Sequence, residues 1–216
     1  MLDVIILSNA KTPELKSLTE QAINSCVNSI GEFNIIVIEQ TKETYENCTV
    51  YHDSSEFNYN KFMNKGISYG KAEYIALCNN DIIFDVNWWV ILREYIQRFN
   101  LLSACPVSFQ RSGEIKFGYR NAHEISGYCI VIKRELLKII GKLDESFPFW
   151  FADNVYSEQL KKHGIKHGIV CKSVVKHLGS KTLNTLTKDE QFNVTRKHIP
   201  EFIEKHPENE SAIFFK

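Results

Sequence analysis

The stretch Glu73-Tyr74-Ile75-Ala76-Leu77-Cys78 runs without a break into Asn79-Asn80-Asp81, then returns to apolar Ile82-Ile83-Phe84. A carboxylate at the tip of a buried strand is costly unless it meets a cation or turns out of the core. Two readings follow. Asp81 either caps a polar turn, as Asn and Asp commonly do, or binds a divalent ion whose shell is completed by substrate phosphate oxygens, as at many Mg²⁺ and Mn²⁺ sites. Other polar groups border apolar runs in the same way: Ser8 and Asn9 after Val4–Leu7, Glu39 after Ile35–Ile38, His177 after Val174-Val175, and Asp153 at the head of a helical pattern. A lone histidine after a strand is more often a hydrogen-bonded structural residue, and Asp153 also suits a helix N-cap. As a set, these side chains are the types that hold a cation against phosphates and take up a proton.

Positioning them falls to alternating elements. Val4–Leu7 and Ile35–Ile38 are short, β-branched runs of the kind buried on both faces of a sheet. Between them Thr12 offers a cap and Pro13 a first helical position, with Leu15, Leu18, Ala22, Cys26 and Ile30 at helical spacing up to Gly31. Tyr59, Phe62, Met63 and Ile67 mark a second helix ending near Gly70, and Asn87 to Phe99 a third. Strands alternating with helices predict a parallel sheet with right-handed crossovers. Such sheets bind ligands outside the carboxyl ends of their strands, where Ser8, Asn9, Glu39 and Asp81 would gather.

The second half is less even. Ser126 to Ile132 reads as a strand, and Arg134 to Ile140 as a helix with Gly141 beyond its end. A helix from Asp153 to His163 closes on Gly164 as a left-handed cap. Ile169-Val170 and Val174-Val175 read as short strands. Thr187 to Glu190 fits a capping box opening a helix that ends before Pro200. No repeat or low-complexity linker interrupts the chain, so a single domain over residues 1–216 is expected, with 186–216 as a helical extension.

Bulk composition narrows the function classes. Of 216 residues, 44% are hydrophobic, enough to bury a core, and 26 basic residues balance 26 acidic ones. That balance argues against a broad nucleic-acid-binding face. Cys26, Cys48, Cys78, Cys105, Cys129 and Cys171 contain no C-x-x-C pair and read as reduced core thiols. His163, His167 and His198 lie in polar surroundings and are expected at the surface. Val4–Leu7 is too short for a signal-peptide core, and no apolar run nears the ~20 residues of a membrane span. A cytoplasmic protein is the expectation.

Several segments carry a family likeness. Glu56-Phe57-Asn58-Tyr59-Asn60-Lys61-Phe62-Met63-Asn64-Lys65-Gly66-Ile67, followed by Lys71-Ala72-Glu73 through Asp81, resembles the donor-binding core of family 2 glycosyltransferases. Ser126-Gly127-Tyr128-Cys129 is similar to that family's acceptor-side strand, and Gly141-Lys142-Leu143-Asp144-Glu145-Ser146-Phe147 to its G-x-F-D-E segment. Phe151-Ala152-Asp153 through Gly164 is similar to its acidic helix, and Val174-Val175-Lys176-His177 stands where it has a strand ending in histidine. The likeness covers about residues 3 to 185, in order and at the right separations.

The resemblance implies a fold and a chemistry. The fold would be an α/β, GT-A type Rossmann-like sandwich with a mostly parallel central sheet flanked by helices. Residues 1–100 would form the nucleotide-sugar half and 101–185 the acceptor-side half. The activity would be inverting transfer of a sugar from a nucleoside diphosphate sugar, UDP-linked by preference, to an acceptor hydroxyl. Asp81 and His177 would hold Mn²⁺ or Mg²⁺, with Asn80 beside them, and Asp153 would be the catalytic base. Ser8, Asn9 and Glu39 would line the base and ribose, and Lys61 and Asn64 would reach toward the diphosphate or ribose. Gly127 and Trp150 would face the acceptor, Trp150 either stacking on a sugar ring or packing with Phe149 and Phe151.

The sequence departs from the family at three places. Asn79-Asn80-Asp81 stands for an Asp-x-Asp motif, Ala152 for a glutamate, and Glu39 for the commoner aspartate. These departures keep open a degenerate, binding-only protein of the same fold. A sugar nucleotidyltransferase is disfavoured, because Ser8-Asn9-Ala10-Lys11-Thr12-Pro13 lacks the glycines of a triphosphate loop. The acceptor stays open among a glycan, a lipid-linked glycan, a protein and a modified nucleobase.

Overall fold

The computed structural model describes residues 1–179, 181 and 183–215. Its central strands are the apolar runs of the sequence. β1 (Leu2–Ser8) is buried along its whole length and lies parallel to both β2 (Phe33–Glu39) and β4 (Tyr74–Cys78), with β3 (Thr49–His52) parallel to β2 on the outside. Successive side chains of a strand point to opposite faces, and both faces here are covered. Val4, Ile6, Val37 and Ala76 pack with α1 (Pro13–Val27) and α3 (Trp88–Arg98) on one side. Ile5, Leu7, Ile38 and Leu77 pack on the other side with α2 (Tyr59–Tyr69), α4 (Leu136–Ile140) and α5 (Ala152–Lys162).

Beyond β4 the strand directions mix. β5 (Ile82–Phe84), β6 (Ser103–Val107), β7 (Ile115–Phe117), β8 (Cys129–Lys133) and β9 (His167–His177) complete a nine-stranded sheet of order β3-β2-β1-β4-β8-β6-β9-β5, with β7 on β9. β8 runs antiparallel to both β4 and β6, whereas β6 and β9 run parallel to each other. The tips of β4 and β9 therefore emerge on the same edge, and β8 enters the sheet there. A third cluster joins Phe147, Phe151 and Val155 to Phe202 and Ala212, seating α7 (Ile199–Lys205) and α8 (Glu210–Phe215) on α5.

Several boundaries differ from the sequence reading. α1 stops at Val27, and Ile30 beyond it is 54% exposed. Cap and turn bonds at Asn28 and Ser29 close the helix before Ile30 can join its apolar stripe. Residues 126–128 approach β8 without pairing in it, and the two expected short strands at 169–175 are one continuous β9. The capping box at Thr187 and Glu190 is formed, but its helix α6 (Lys188–Val194) ends early and Pro200 sits in the first turn of α7. Asp153 lies inside the first turn of α5 and is not its N-cap, a position held by Phe151. His167 is buried, with Nδ1 2.7 Å from Ser103 Oγ, and burial pushes its pKa down to about 4. It was expected at the surface because its neighbours in sequence are polar; its strand carries it inward. All six cysteines are free, and all but Cys48 are buried.

One buried ion pair ties these layers together. Asp3 has no exposed surface, yet its carboxylate receives Arg134 Nη2, Asn34 Nδ2 and Ala72 N, each at 2.7 Å. Arg134 also donates to the carbonyls of Ala72 and Ile67. Removing one partner of a buried pair leaves an uncompensated charge, which costs about 3–5 kcal/mol. Arg134→Met should lower the urea midpoint by that equivalent, and an unchanged midpoint would show the pair to be dispensable.

Candidate functional site

The register of the sheet assembles the site. β5 pairs with β9 so that Ile82 faces His177, which sets Asp81 beside the imidazole. Asp81 Oδ1 lies 3.2 Å from His177 Nε2, and Asp81 Oδ2 receives the N–H of Lys181 at 3.4 Å. The His177 ring stacks on Tyr128, with centroids 4.8 Å apart and planes 14° from parallel, while Ser108 Oγ accepts its backbone N–H. Burial pushes the Asp81 carboxyl up, but His177 and the Lys181 N–H outweigh it and hold the pKa below the ordinary carboxylate value.

Asp153 reaches the same region from α5. A Cβ placed on Gly127 would lie 2.8 Å from Asp153 Oδ2, so only glycine lets the loop before β8 pass this close to the acid. Gly127 O accepts the Tyr59 hydroxyl at 3.2 Å, and Asn79 N donates to Tyr128 O at 3.0 Å. Burial raises the Tyr59 pKa well above the ordinary value, and the Asp153 and Asp81 carboxylates push the same way. One hydroxyl thus lies in the field of both acids. Asp153 is raised to about 6, chiefly because surrounding protein strips its water, with N–H groups at its own position and at Asn154 opposing the rise. That value suits a group taking up a proton near neutral pH.

Three asparagines on or beside α2 fix that acid in place. Asn58 Nδ2 donates to Glu145 O at 2.8 Å, and Asn60 Nδ2 to Asp144 O and Ala152 O. Asn64 donates to Leu143 O and to the Glu145 carboxylate, and its Oδ1 accepts from Leu143 N. Asn64 therefore clamps the 143–145 loop that leads into α5. Lys61 is partly exposed on α2 beside Glu145, whose pKa it helps to lower. Among the described residues no hydrogen bond or ion pair joins it to the Asp81 region.

The tips of β2, β1 and β4 carry the remaining expected residues, and these bond to one another. Glu39 Oε1 accepts from Ala10 N at 3.1 Å and Thr41 N at 2.8 Å, while Oε2 accepts from the Tyr45 hydroxyl at 2.6 Å. Ser8 Oγ lies 3.0 Å from Tyr45 Oη and 2.8 Å from Thr19 Oγ1, which accepts from Asn80 Nδ2 at 3.0 Å. Glu39, Ser8 and Asn80 are all buried. Their side chains brace the strand tips. Asn9 differs: its Oδ1 is buried and unpartnered among the described residues, a free acceptor at the same edge. Trp150 stands apart, 43% exposed at the mouth of a cavity of about 410 Å³ between residues 119–123, α5 and α8.

Sequence reasoning passed over Thr19 and Tyr45. Thr19 had a signal, since it is a hydroxyl at the buried spacing of α1, between Leu15 and Ala22. Tyr45 sits in a loop and gave none.

The sequence matches no family model and no curated protein. Solved structures do share the architecture. GalNAc-T7 with UDP, GalNAc and Mn²⁺ superposes with a TM-score of 0.66 at 14% identity, covering 82% of this chain and 43% of that one. S. aureus TarS 1–349 gives 0.62 at 9% identity, covering 95% and 72%. The mannosyltransferase PcManGT from Pyrobaculum calidifontis, with GDP-Man and Mn²⁺, gives 0.61 at 10% identity, covering 81% and 55%. The fold is of the GT-A type, that of glycosyltransferases. The chain spans about half the length of two of these three neighbours.

The Tyr45 contact can be tested directly. Burial pushes the Glu39 carboxyl up, but the Ser8 and Tyr45 hydroxyls and the Thr41 and Ala10 N–H groups outweigh it, so its pKa is lowered. A depressed carboxyl stabilises the fold above its unfolded pKa and loses that stability as pH falls through the folded value. Tyr45→Phe should therefore cost about 1.5–3 kcal/mol at pH 7 and progressively less in acid. Thermal melts across pH would show it, and an equal loss at every pH would deny the link to the Glu39 charge.

Proposed function

We propose that this chain transfers a glycosyl group from a nucleoside diphosphate sugar to an acceptor hydroxyl, with inversion. The observation that carries the reading is the meeting, on one sheet edge, of the Asp81–His177 pair and the Gly127–Asp153 contact, joined because Tyr128, the residue after Gly127, stacks on His177.

The residues suit a divalent ion. Asp81 is held in its charged form, and His177 turns a ring nitrogen to it. Among the described residues no cluster of three or more His, Cys, Asp or Glu side chains forms a cage. One carboxylate and one imidazole fit Mn²⁺ or Mg²⁺, ions commonly held by few protein ligands with substrate phosphates completing the shell. Such an ion, when bound, neutralises charge on a departing diphosphate. GalNAc-T7 and PcManGT, each solved with Mn²⁺ and a nucleotide or nucleotide sugar, support this part of the reading.

The chain's own residues supply the rest. Asp153 accepts the acceptor's proton as the new bond forms from acceptor oxygen to anomeric carbon. The bond to the diphosphate oxygen breaks on the opposite side, and its electron pair leaves with the phosphate. Gly127 keeps the space before Asp153 free of a side chain, and the asparagine clamps hold α5 so that the acid does not drift. The nucleoside lies toward Asn9, whose carbonyl oxygen, without a partner among the described residues, accepts a base or ribose donor.

Asp81→Ala should abolish Mn²⁺-dependent binding of UDP-sugars and GDP-sugars in calorimetry. Asp153→Asn should keep that binding and lower transfer by at least ~100-fold. Transfer by the native chain should rise with pH through an apparent pKa near 6, as Asp153 loses its proton. Binding without turnover would reduce the chain to a nucleotide-sugar-binding protein, and indifference to both donors would remove the reading altogether.

A further inference from the structure

Asp153 sits in the first turn of α5, where a helix has N–H groups without partners of their own and frays most readily. The N-cap position is held by Phe151, whose side chain has no oxygen to close on those N–H groups. The turn that carries the acid must therefore be held from outside.

Asn60 holds one side of it, through Ala152 O. The other side belongs to α7 and α8. Phe151, Asn154, Val155 and Glu158 recur at i, i+3, i+4 and i+7, along one face of α5. Phe151 stacks on Phe202 of α7, with centroids 4.0 Å apart and planes 3° from parallel, and Val155 joins them in one apolar cluster. Asn154 and Glu158 bond instead to the turn between α7 and α8.

Asn209 organises that turn. Its backbone N–H donates to His206 O and its carbonyl accepts from Ile213 N, each at 3.0 Å, which joins the end of α7 to α8. Its Oδ1 accepts from Ser211 N at 3.0 Å and from Asn154 Nδ2 at 3.3 Å. Its Nδ2 donates to Glu158 Oε1 at 2.6 Å, and Ser211 Oγ steadies Asn154 Nδ2 at 2.8 Å. One amide, 5% exposed, thus ties three helices together at the residue that follows Asp153. Truncating it would loosen Asn154 and Glu158 together.

We infer that Asn209 is a positioning residue for Asp153: through Asn154 and Glu158 it seats the first turn of α5, so that the carboxylate stays packed on Gly127. The catalytic consequence rests on the proposed transferase reading; the seating of the acid does not.

The acid itself reports the seating. Its pKa of about 6 comes from the exclusion of water, so a loosened turn that admits water should bring it down toward the ordinary value. The ionisable groups sharing its field, Tyr59 from α2 and Asp81 from the sheet edge, keep one charge around that value, the first pushed up and the second held down. On the clamp side Glu158 pairs with Lys161, and Glu210 lies in the field of Arg120. On α7, His198 and Lys205 pair with Glu201, and His206 lies over Phe202.

Carbon-13 NMR of the aspartate-labelled chain, with the Asp153 signal assigned by its loss in Asp153→Asn, measures this pKa without donor or metal. Asn209→Ala should lower it by about one unit and cut kcat roughly tenfold, with the KM for the nucleotide sugar unchanged. Asn154→Ala, which cuts the link beside the acid and leaves the α7–α8 turn intact, should give the same shift. Asn209→Asp combined with Glu158→Gln keeps the net charge and restores the bond with donor and acceptor exchanged, and should return the pKa to its native value. An unmoved pKa in either alanine variant, or an equal fall in the exchanged pair, overturns the proposal. A lowered and rescued pKa in a chain transferring no sugar from any nucleotide donor upholds the positioning role and defeats the transferase reading.

Discussion

A buried carboxylate must be answered from all sides, and Asp3 converts that demand into architecture. Its three donors come from β2, from the turn ahead of β4 and from the residue after β8, so one charge registers three strands. Gly70 belongs to the same constraint, since a side chain there would collide with the carboxylate. The carboxylate itself is shut off from water, which strengthens each bond it accepts. The far ends of these strands carry the candidate site. Their mutual height is therefore set by a pair at the opposite edge of the sheet.

The antiparallel β8 is the second determinant. A parallel strand beside β4 would bring its carboxyl end to the site, with a loop leading away. An antiparallel one brings its entry, so residues 126–128 run directly past Asn79 and Asp153. Acid, glycine and histidine are thus contributed by helix, loop and strand from separate parts of the chain. Each is held by partners outside the cleft: the asparagine clamps for α5, Tyr59 for Gly127, and Ser108 with Tyr128 for His177.

Much of this was legible in the residues, but unevenly. The parallel half was plain because Val4–Leu7, Ile35–Ile38 and Tyr74–Cys78 are continuous apolar runs, and Thr12-Pro13 is an unambiguous helix start. β3 and β7 were not, since Thr49–His52 and Ile115–Phe117 lie at the sheet's margins, half-exposed and without an apolar run. In β9, Lys172 and Ser173 interrupt the apolar pattern, and the strand survives because pairing with β5, β6 and β7 overrides local preference. At the site, order along the chain singled out Asp81, His177 and Asp153 as candidates. It did not distinguish a side chain facing a ligand from one facing a neighbour. Asn64, Ser8, Asn80 and Glu39 are all polar residues near strand tips or on the motif helix, and the bonds they make within the chain are visible only in the structure.

The row of bonds along those strand tips has a direction. Tyr45 has a single proton, given to Glu39, so toward Ser8 it can only receive. The Ser8 proton therefore turns toward that edge, to Tyr45 or to the Glu39 carboxylate itself. Hydroxyl dipoles at the tips of β1 and β2 thereby lean toward one anion, like compass needles around a pole. Neutralising Glu39 would free that alignment, so the electrical state of one buried carboxylate is written into the hydroxyl orientations beside it.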